Sequence, residues 1–213
     1  MPGPPLRADA NAGRVALVTG GGTGIGRATA LELAATGAEL VICGRRPEPL
    51  EDARAAIEAA GGDCLALPAD VREAGQVERV VDAALERFGK VDVLFNNAGG
   101  QFQANAEDIS VNGWRAVHRL SVEAVWSMTR EVATRSMIPG DGGLIVFNGF
   151  SPLRAIAGFA HATAARAALR NLAEGLAVAR ETPFVQARDV DSADGPSCRD
   201  DAQGSDSRET PAT

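Results

Sequence analysis

The chain has 213 residues, 45% of them hydrophobic and 23% charged, with a formal net charge of −7 at pH 7. This excludes a disordered polyelectrolyte and fits one globular domain, since a domain of about 150 residues already buries roughly 68–70% of its unfolded surface. The acidic balance argues against a nucleic-acid partner, and no apolar run reaches the ~18 residues that cross a bilayer.

Residues 1–12 are proline-rich, hold no apolar core of the signal-peptide kind, and read as a disordered lead-in, so the expected location is cytoplasmic. "VALVT" at 15–19 reads as a short buried strand that runs into a glycine-rich turn. "GRATALELAATG" follows as a helix with Leu31, Leu33 and Ala34 facing inward and Gly37 as its stop. "ELVIC" is a second strand, and "PEPLEDARAAIEAAGG" is a helix with proline near its start and glycine after its end. "CLALPADV" is a third strand and its exit. "QVERVVDAALERFG" is a helix with Val77, Val80, Val81, Ala84 and Leu85 at helical spacing. "VDVLFNNAGG" is a fourth strand that ends in a polar turn. A long helix is expected over about 112–136, a fifth strand in "GGLIVFN", and a last helix over 160–180.

Strands alternating with helices, each strand nearly all apolar, predict a parallel sheet covered on both faces. Right-handed crossovers make this a Rossmann-like, doubly wound α/β domain over residues 13–180. Beyond Arg180 the pattern stops. Residues 181–213 carry −5 of the net charge and only Phe184, Val185 and Val190 as strong hydrophobes. They are expected to form a disordered acidic tail, with the C-terminal strands of the sheet absent. Three scattered cysteines, Cys43, Cys64 and Cys198, give neither a disulfide framework nor a metal site. His118 and the long-helix tryptophans Trp114 and Trp126 read as a surface histidine and as helix packing.

"VTGGGTGIGRA" at 18–28 sits between the first strand and the first helix. Its glycines let the backbone turn tightly and approach a pyrophosphate, and the helix N-terminus offers N–H groups and a positive dipole to the anion. At the end of the second strand, where an NAD site needs a carboxylate for the ribose 2′-hydroxyl, stand Gly44, Arg45 and Arg46. Guanidinium groups suit a 2′-phosphate, so the expected cofactor is NADP(H).

Thr19, Gly20, Gly24 and Gly26 as T-G-x-x-x-G-x-G, "NNAG" at 96–99 and "ADV" at 69–71 together resemble the short-chain dehydrogenase/reductase family. The resemblance implies that Gly20, Thr23, Gly24, Ile25, Gly26, Arg45, Arg46, Asp70, Val71, Asn97, Ala98 and Gly99 bind the cofactor. Asp70 would reach the adenine amino group. It also implies a homodimer or homotetramer, paired through the two long helices, and a small-molecule substrate.

Family members commonly protonate a carbonyl with a tyrosine, whose phenol near pKa 10 is made acidic by a lysine four residues later. Aligned on "ARAALRNLAEGLA", the lysine site holds Arg166 and the tyrosine site Ala162. The serine site holds Gly149, the asparagine site on the long helix holds Ser121, and the chain contains no tyrosine. "FNNAGGQF", "GWRAVHRLSVEAVW" and "HATAARAAL" resemble the trans-2-enoyl-CoA and 2,4-dienoyl-CoA reductase branch, which reduces a C=C bond conjugated to a thioester. The substrate expected on that reading is an acyl-CoA. Arg166, Ser151 and His161 are the candidate catalytic donors. Two alternatives stand beside this: an NADP(H)-binding protein without turnover, and a truncated or frameshifted product, because the family pattern breaks off just after "GLAV".

Overall fold

Alternation along each strand decides which way every core side chain points. The chain is seen here in a computed structural model that describes residues 7–149, 156–178 and 185–191. Its elements run β1 (Val15–Thr19), α1 (Gly24–Ala35), β2 (Glu39–Gly44), α2 (Pro47–Ala59), β3 (Cys64–Pro68), α3 (Ala74–Phe88) and β4 (Val93–Asn96). After a short 3₁₀ turn (Ala106–Asp108) come α4 (Val111–His118) and α5 (Ala124–Val132), then β5 (Gly143–Gly149), α6 (Ala160–Val178) and β6 (Val185–Asp191). The strands form one parallel sheet in the order β3-β2-β1-β4-β5-β6.

Successive side chains of a strand face opposite sides of the sheet. Val15, Leu17, Val41, Leu94, Ile145 and Phe147 therefore pack on one side, against Val77, Val80, Val81 and Ala84 of α3, Met128 and Val132 of α5, and Leu169 and Ala173 of α6. Ala16, Val18, Leu40, Ile42, Phe95 and Val146 pack on the other, against Ala30 of α1 and Leu50, Ala53 and Ile57 of α2. This is the doubly wound sheet that the alternating pattern predicts. On α1 the buried positions are Gly26 and Ala30, while Leu31, Leu33 and Ala34 are partly covered.

The sequence pattern misses one strand. Residues 181–213 were expected to be disordered throughout, yet β6 pairs with all seven residues of β5, from Gly143↔Val185 to Gly149↔Asp191. Backbone hydrogen bonds define a parallel edge strand, and its outer residues need not be apolar. Residues 192–213 lie outside the described residues.

The helix expected over 112–136 is present but not uniform. Ser110 caps α4 by accepting from the Gly113 N–H at 3.1 Å. Single π-helical turns follow α4 at Arg119–Glu123 and α5 at Ala133–Met137. Two side-chain bonds fix this helix to the sheet: Asn96 Nδ2 donates to Thr129 Oγ1 at 3.1 Å, and Ser136 Oγ accepts from the Val91 N–H at 2.7 Å. Trp114 and Trp126 are 41% and 46% exposed, which corrects their expected role in helix packing. Trp114 instead stacks on His118, with ring centroids 4.3 Å apart. That contact leaves His118 half-covered, with its Nδ1 3.0 Å from the Trp114 carbonyl oxygen. Among the described residues no helix is long and apolar enough to cross a membrane.

Gly26 is the tightest point between α1 and the sheet. A Cβ there would lie 2.4 Å from both Asn97 Nδ2 and the Gly20 carbonyl oxygen, whereas one on Gly75 of α3 would meet nothing within 4 Å. Gly26→Ala is expected to destabilise the fold by about 2–3 kcal/mol through overpacking. Gly75→Ala is expected to stabilise it by roughly 0.5–1 kcal/mol through backbone entropy. Urea unfolding of both variants checks the pair; equal effects would show that the turn is not packed as described.

Candidate functional site

β1 and β4 are neighbours in the sheet, but their following helices lie on opposite faces. The chain must part at their carboxyl ends, and ligands of doubly wound sheets bind in the crevice so formed. A cavity of about 250 Å³ opens there.

Its floor is built by Thr19 and Asn97. The Thr19 hydroxyl accepts the backbone N–H groups of Asn97 and Ala98, each at 2.9 Å. Asn97 Nδ2 donates back to the carbonyls of Thr19 at 3.0 Å and Gly20 at 3.4 Å. The Gly20 N–H donates to the Cys43 carbonyl at 2.7 Å, which ties the turn to β2 as well. Gly20 has φ +68°, and a Cβ there would lie 2.8 Å from Asn97 Nδ2, so the turn needs glycine. Gly24 has φ +53° at the opening of α1, and nothing lies within 4 Å of where its Cβ would stand. Bare backbone with open space at a helix N-terminus is the cradle that a pyrophosphate requires, so the residues present fit a dinucleotide.

The wall near β2 and β3 carries the charges. Arg45 and Arg46 are exposed on the cavity rim, and Asp70 faces the same cavity after β3. Asp70 accepts two hydrogen bonds from Arg72 Nε and one at 2.5 Å from Arg72 Nη2, and also the Arg72 N–H at 3.0 Å. The Arg72 guanidinium, more than burial opposes it, holds the Asp70 carboxyl down at about 2. The Cys43 thiol beneath the turn is fully buried, and desolvation pushes it up to about 12.

Of the residues expected to bind cofactor, Gly20, Thr23, Arg45, Arg46, Asp70, Val71, Asn97, Ala98 and Gly99 line the cavity. Gly24, Ile25 and Gly26 continue the same turn beside it, with open space at Gly24 and Ile25 52% exposed. Gly22, Gly44, Pro49, Leu50, Ala69 and Leu120 also line it, beyond the residues expected to bind cofactor. Leu50 reads in sequence as core of α2, and Leu120 reaches the cavity from the π turn after α4, which no local sequence signal announces.

The far end of the crevice is built by β5 and α6. Asn148 donates from Nδ2 to Asn97 Oδ1 at 2.8 Å, and its carbonyl accepts from Arg166 Nη1 at 3.1 Å. A Cβ on Gly99 would lie 3.2 Å from Arg166 Nη2, so the guanidinium sits against the turn after β4, at the cavity's edge. Ala162, one helical turn before Arg166, is buried with Val117 and Ala165 between α4 and α6 and offers no donor. Ser121 is buried in the π turn.

Of the two candidate donors among the described residues, Arg166 stands at the crevice and His161 does not. Ser151 lies outside the described residues. His161 is fully buried, and neither ring nitrogen has a hydrogen-bond partner among the described residues. The Phe102 ring packs against it at 4.3 Å between centroids, so His161 is enclosed and does not present a donor to the crevice as expected. No group of three or more histidine, cysteine or acidic side chains arranged to hold a metal occurs among the described residues.

Comparison with known proteins agrees with this geometry. The chain is 44% identical over 121 residues to the peroxisomal 2,4-dienoyl-CoA reductase of Arabidopsis thaliana, covering 57% of this chain and 40% of that protein. It is 40% identical over 121 residues to the rhamnolipids biosynthesis 3-oxoacyl-[acyl-carrier-protein] reductase of Pseudomonas aeruginosa, covering 57% and 47%. The matches thus span under half the length of these curated relatives. Among solved structures, the citronellol catabolism dehydrogenase AtuB of Pseudomonas aeruginosa PAO1 superposes with a TM-score of 0.83 at 34% identity, over 87% of this chain and 76% of that one. Residues 14–187 match the short chain dehydrogenase family pattern, and the chain belongs to that family, whose members bind nicotinamide cofactors.

Proposed function

We propose that the protein is an NADP(H)-dependent oxidoreductase that reduces the C=C bond of an enoyl- or dienoyl-CoA thioester. The observation that carries the reading is Arg166 at the crevice edge with buried, apolar Ala162 one turn before it. When bound, the cofactor supplies hydride equivalents from its nicotinamide.

Carbonyl reduction makes an alkoxide whose proton comes from a fixed acid, a contribution of about 10²–10⁴-fold in rate. Ala162 and Gly149 have no side-chain proton to give, and an arginine keeps its protons at any ordinary pH. Reduction of an α,β-unsaturated thioester makes a delocalised enolate instead. Arg166 can hold the charge on the thioester oxygen with preorganised N–H donors, while water protonates the carbon. Asn148 and Asn97 position that guanidinium against the crevice floor. Similarity to a protein named as a dienoyl-CoA reductase supports this substrate class, and similarity to a 3-oxoacyl-ACP reductase keeps the wider class of acyl thioesters in view. Support for the phosphorylated cofactor comes from Arg45 and Arg46 on the rim where an NAD site carries a carboxylate.

A second reading, cofactor binding without turnover, is favoured by one observation: the tyrosine, serine and asparagine sites hold Ala162, Gly149 and Ser121.

Arg45→Ala is expected to weaken NADPH binding by roughly 1.5–3 kcal/mol and NADH binding far less, because a charge-assisted hydrogen bond to the 2′-phosphate is lost. Titration calorimetry with both cofactors checks this, and equal losses would remove Arg45 from that role. NADPH oxidation is expected with crotonyl-CoA or a dienoyl-CoA and not with simple ketones, and Arg166→Ala is expected to abolish it. Ketone turnover that survives Arg166→Ala would overturn the thioester assignment. NADPH binding with no turnover of either class would leave the second reading.

A further inference from the structure

Arg72 answers a conflict built into the cavity. The wall that holds Arg45 and Arg46 also holds the carboxylate of Asp70. A dianionic phosphate drawn to the two guanidinium groups would meet that carboxylate as a like charge, and like charges brought together cost binding. The carboxylate is not bare. Arg72 grips both of its oxygens through Nε and Nη2, at 2.9, 3.1 and 2.5 Å. The pair is only partly open to solvent, with side-chain exposures of 32% for Arg72 and 21% for Asp70, so it is less screened than a surface pair.

The neighbouring charges leave Arg72 to this task. Glu73, the next acid along the chain, is engaged by Arg119 at 2.8 Å, and the same guanidinium donates to the Arg72 carbonyl. Gln76 Oε1 accepts the Asp70 N–H at 2.8 Å, which fixes the segment from the other side. The ion pair sits at the exit of β3, where Ala69 and Val71 on either side of Asp70 pack into the core.

We infer that Arg72 is a positioning and specificity residue for the phosphorylated cofactor: it neutralises Asp70, so that the wall shared with Arg45 and Arg46 accepts a 2′-phosphate. The inference rests on the NADP(H) reading. Asp70 keeps its place in the cavity while its charge is cancelled, and the two rim arginines then act on the phosphate unopposed. Arg72 acts through Asp70, with no contact to the cofactor required of it.

The test uses adenosine 2′,5′-bisphosphate and 5′-AMP, which differ by the 2′-phosphate and need no turnover. The readout is the ratio of their dissociation constants on the full chain, measured by calorimetry at fixed salt. General damage to the fold lowers both affinities alike and leaves the ratio unmoved. The parent is expected to prefer the bisphosphate. Arg72→Ala and Arg72→Gln are expected to lower that preference by about tenfold, as an uncovered charge near the ligand does. Arg72→Lys keeps the charge and is expected to retain it. Adding Asp70→Asn to Arg72→Ala is expected to restore it, because the opposing charge is gone. An unchanged ratio in Arg72→Ala overturns the inference and leaves the NADP(H) reading standing. A loss that persists in the double variant also overturns it, by showing that Arg72 acts on the phosphate directly. A parent without preference overturns both.

Discussion

Everything in the crevice depends on one reciprocal clamp, Thr19 with Asn97. A hydroxyl at the end of β1 accepts two backbone N–H groups from the turn after β4, and the amide of that turn donates back to two carbonyls of the glycine loop. Each bond alone contributes about 1 kcal/mol to stability. Together they hold two loops that sheet pairing does not reach, at the place where the sheet's crossovers diverge. The glycine turn is thereby set before any ligand arrives, and its shape does not have to be purchased from binding energy.

Asn97 extends that clamp sideways. Its oxygen receives Asn148, whose carbonyl receives Arg166. One continuous set of hydrogen bonds runs from the phosphate turn to the cation at the opposite end of the crevice. In a chain without a tyrosine, these amides orient the Arg166 guanidinium and hold its charge at a fixed position beside the turn after β4.

Much of this was legible in the sequence, for a reason that differs from residue to residue. Gly20 announces itself because of its positive φ and its 2.8 Å clearance from Asn97, and Gly26 because a Cβ would lie 2.4 Å from the same side chain. The core valines of α3 are legible because helical spacing and burial coincide. β6 was not legible. "VQARDVD" lacks the apolar run of its neighbours, and an edge strand is specified by pairing with β5. The surroundings of His161 were not legible either, since they are set by Phe102, some sixty positions earlier in the chain, and by α4 packing across α6. Trp114 and Trp126 misled because large aromatic residues are usually covered, and here both lie on the outer side of the long helix.

The covered imidazole of His161 has an energetic consequence for the loop above it. A buried polar group without a partner costs about 1–3 kcal/mol relative to one that reaches water. Phe102 seals that group in while remaining 40% exposed itself. A ring contact with an imidazole that lacks hydrogen-bond partners among the described residues is poorly rewarded compared with the apolar contacts of the sheet. Opening free energies in a protein range from near zero to that of global unfolding. The stretch from Gly99 to Phe102, which borders the crevice beside Arg166, belongs near the low end of that scale. The fold thus places a weakly rewarded contact beside the hydrogen-bonded frame of Asn97, Asn148 and Arg166.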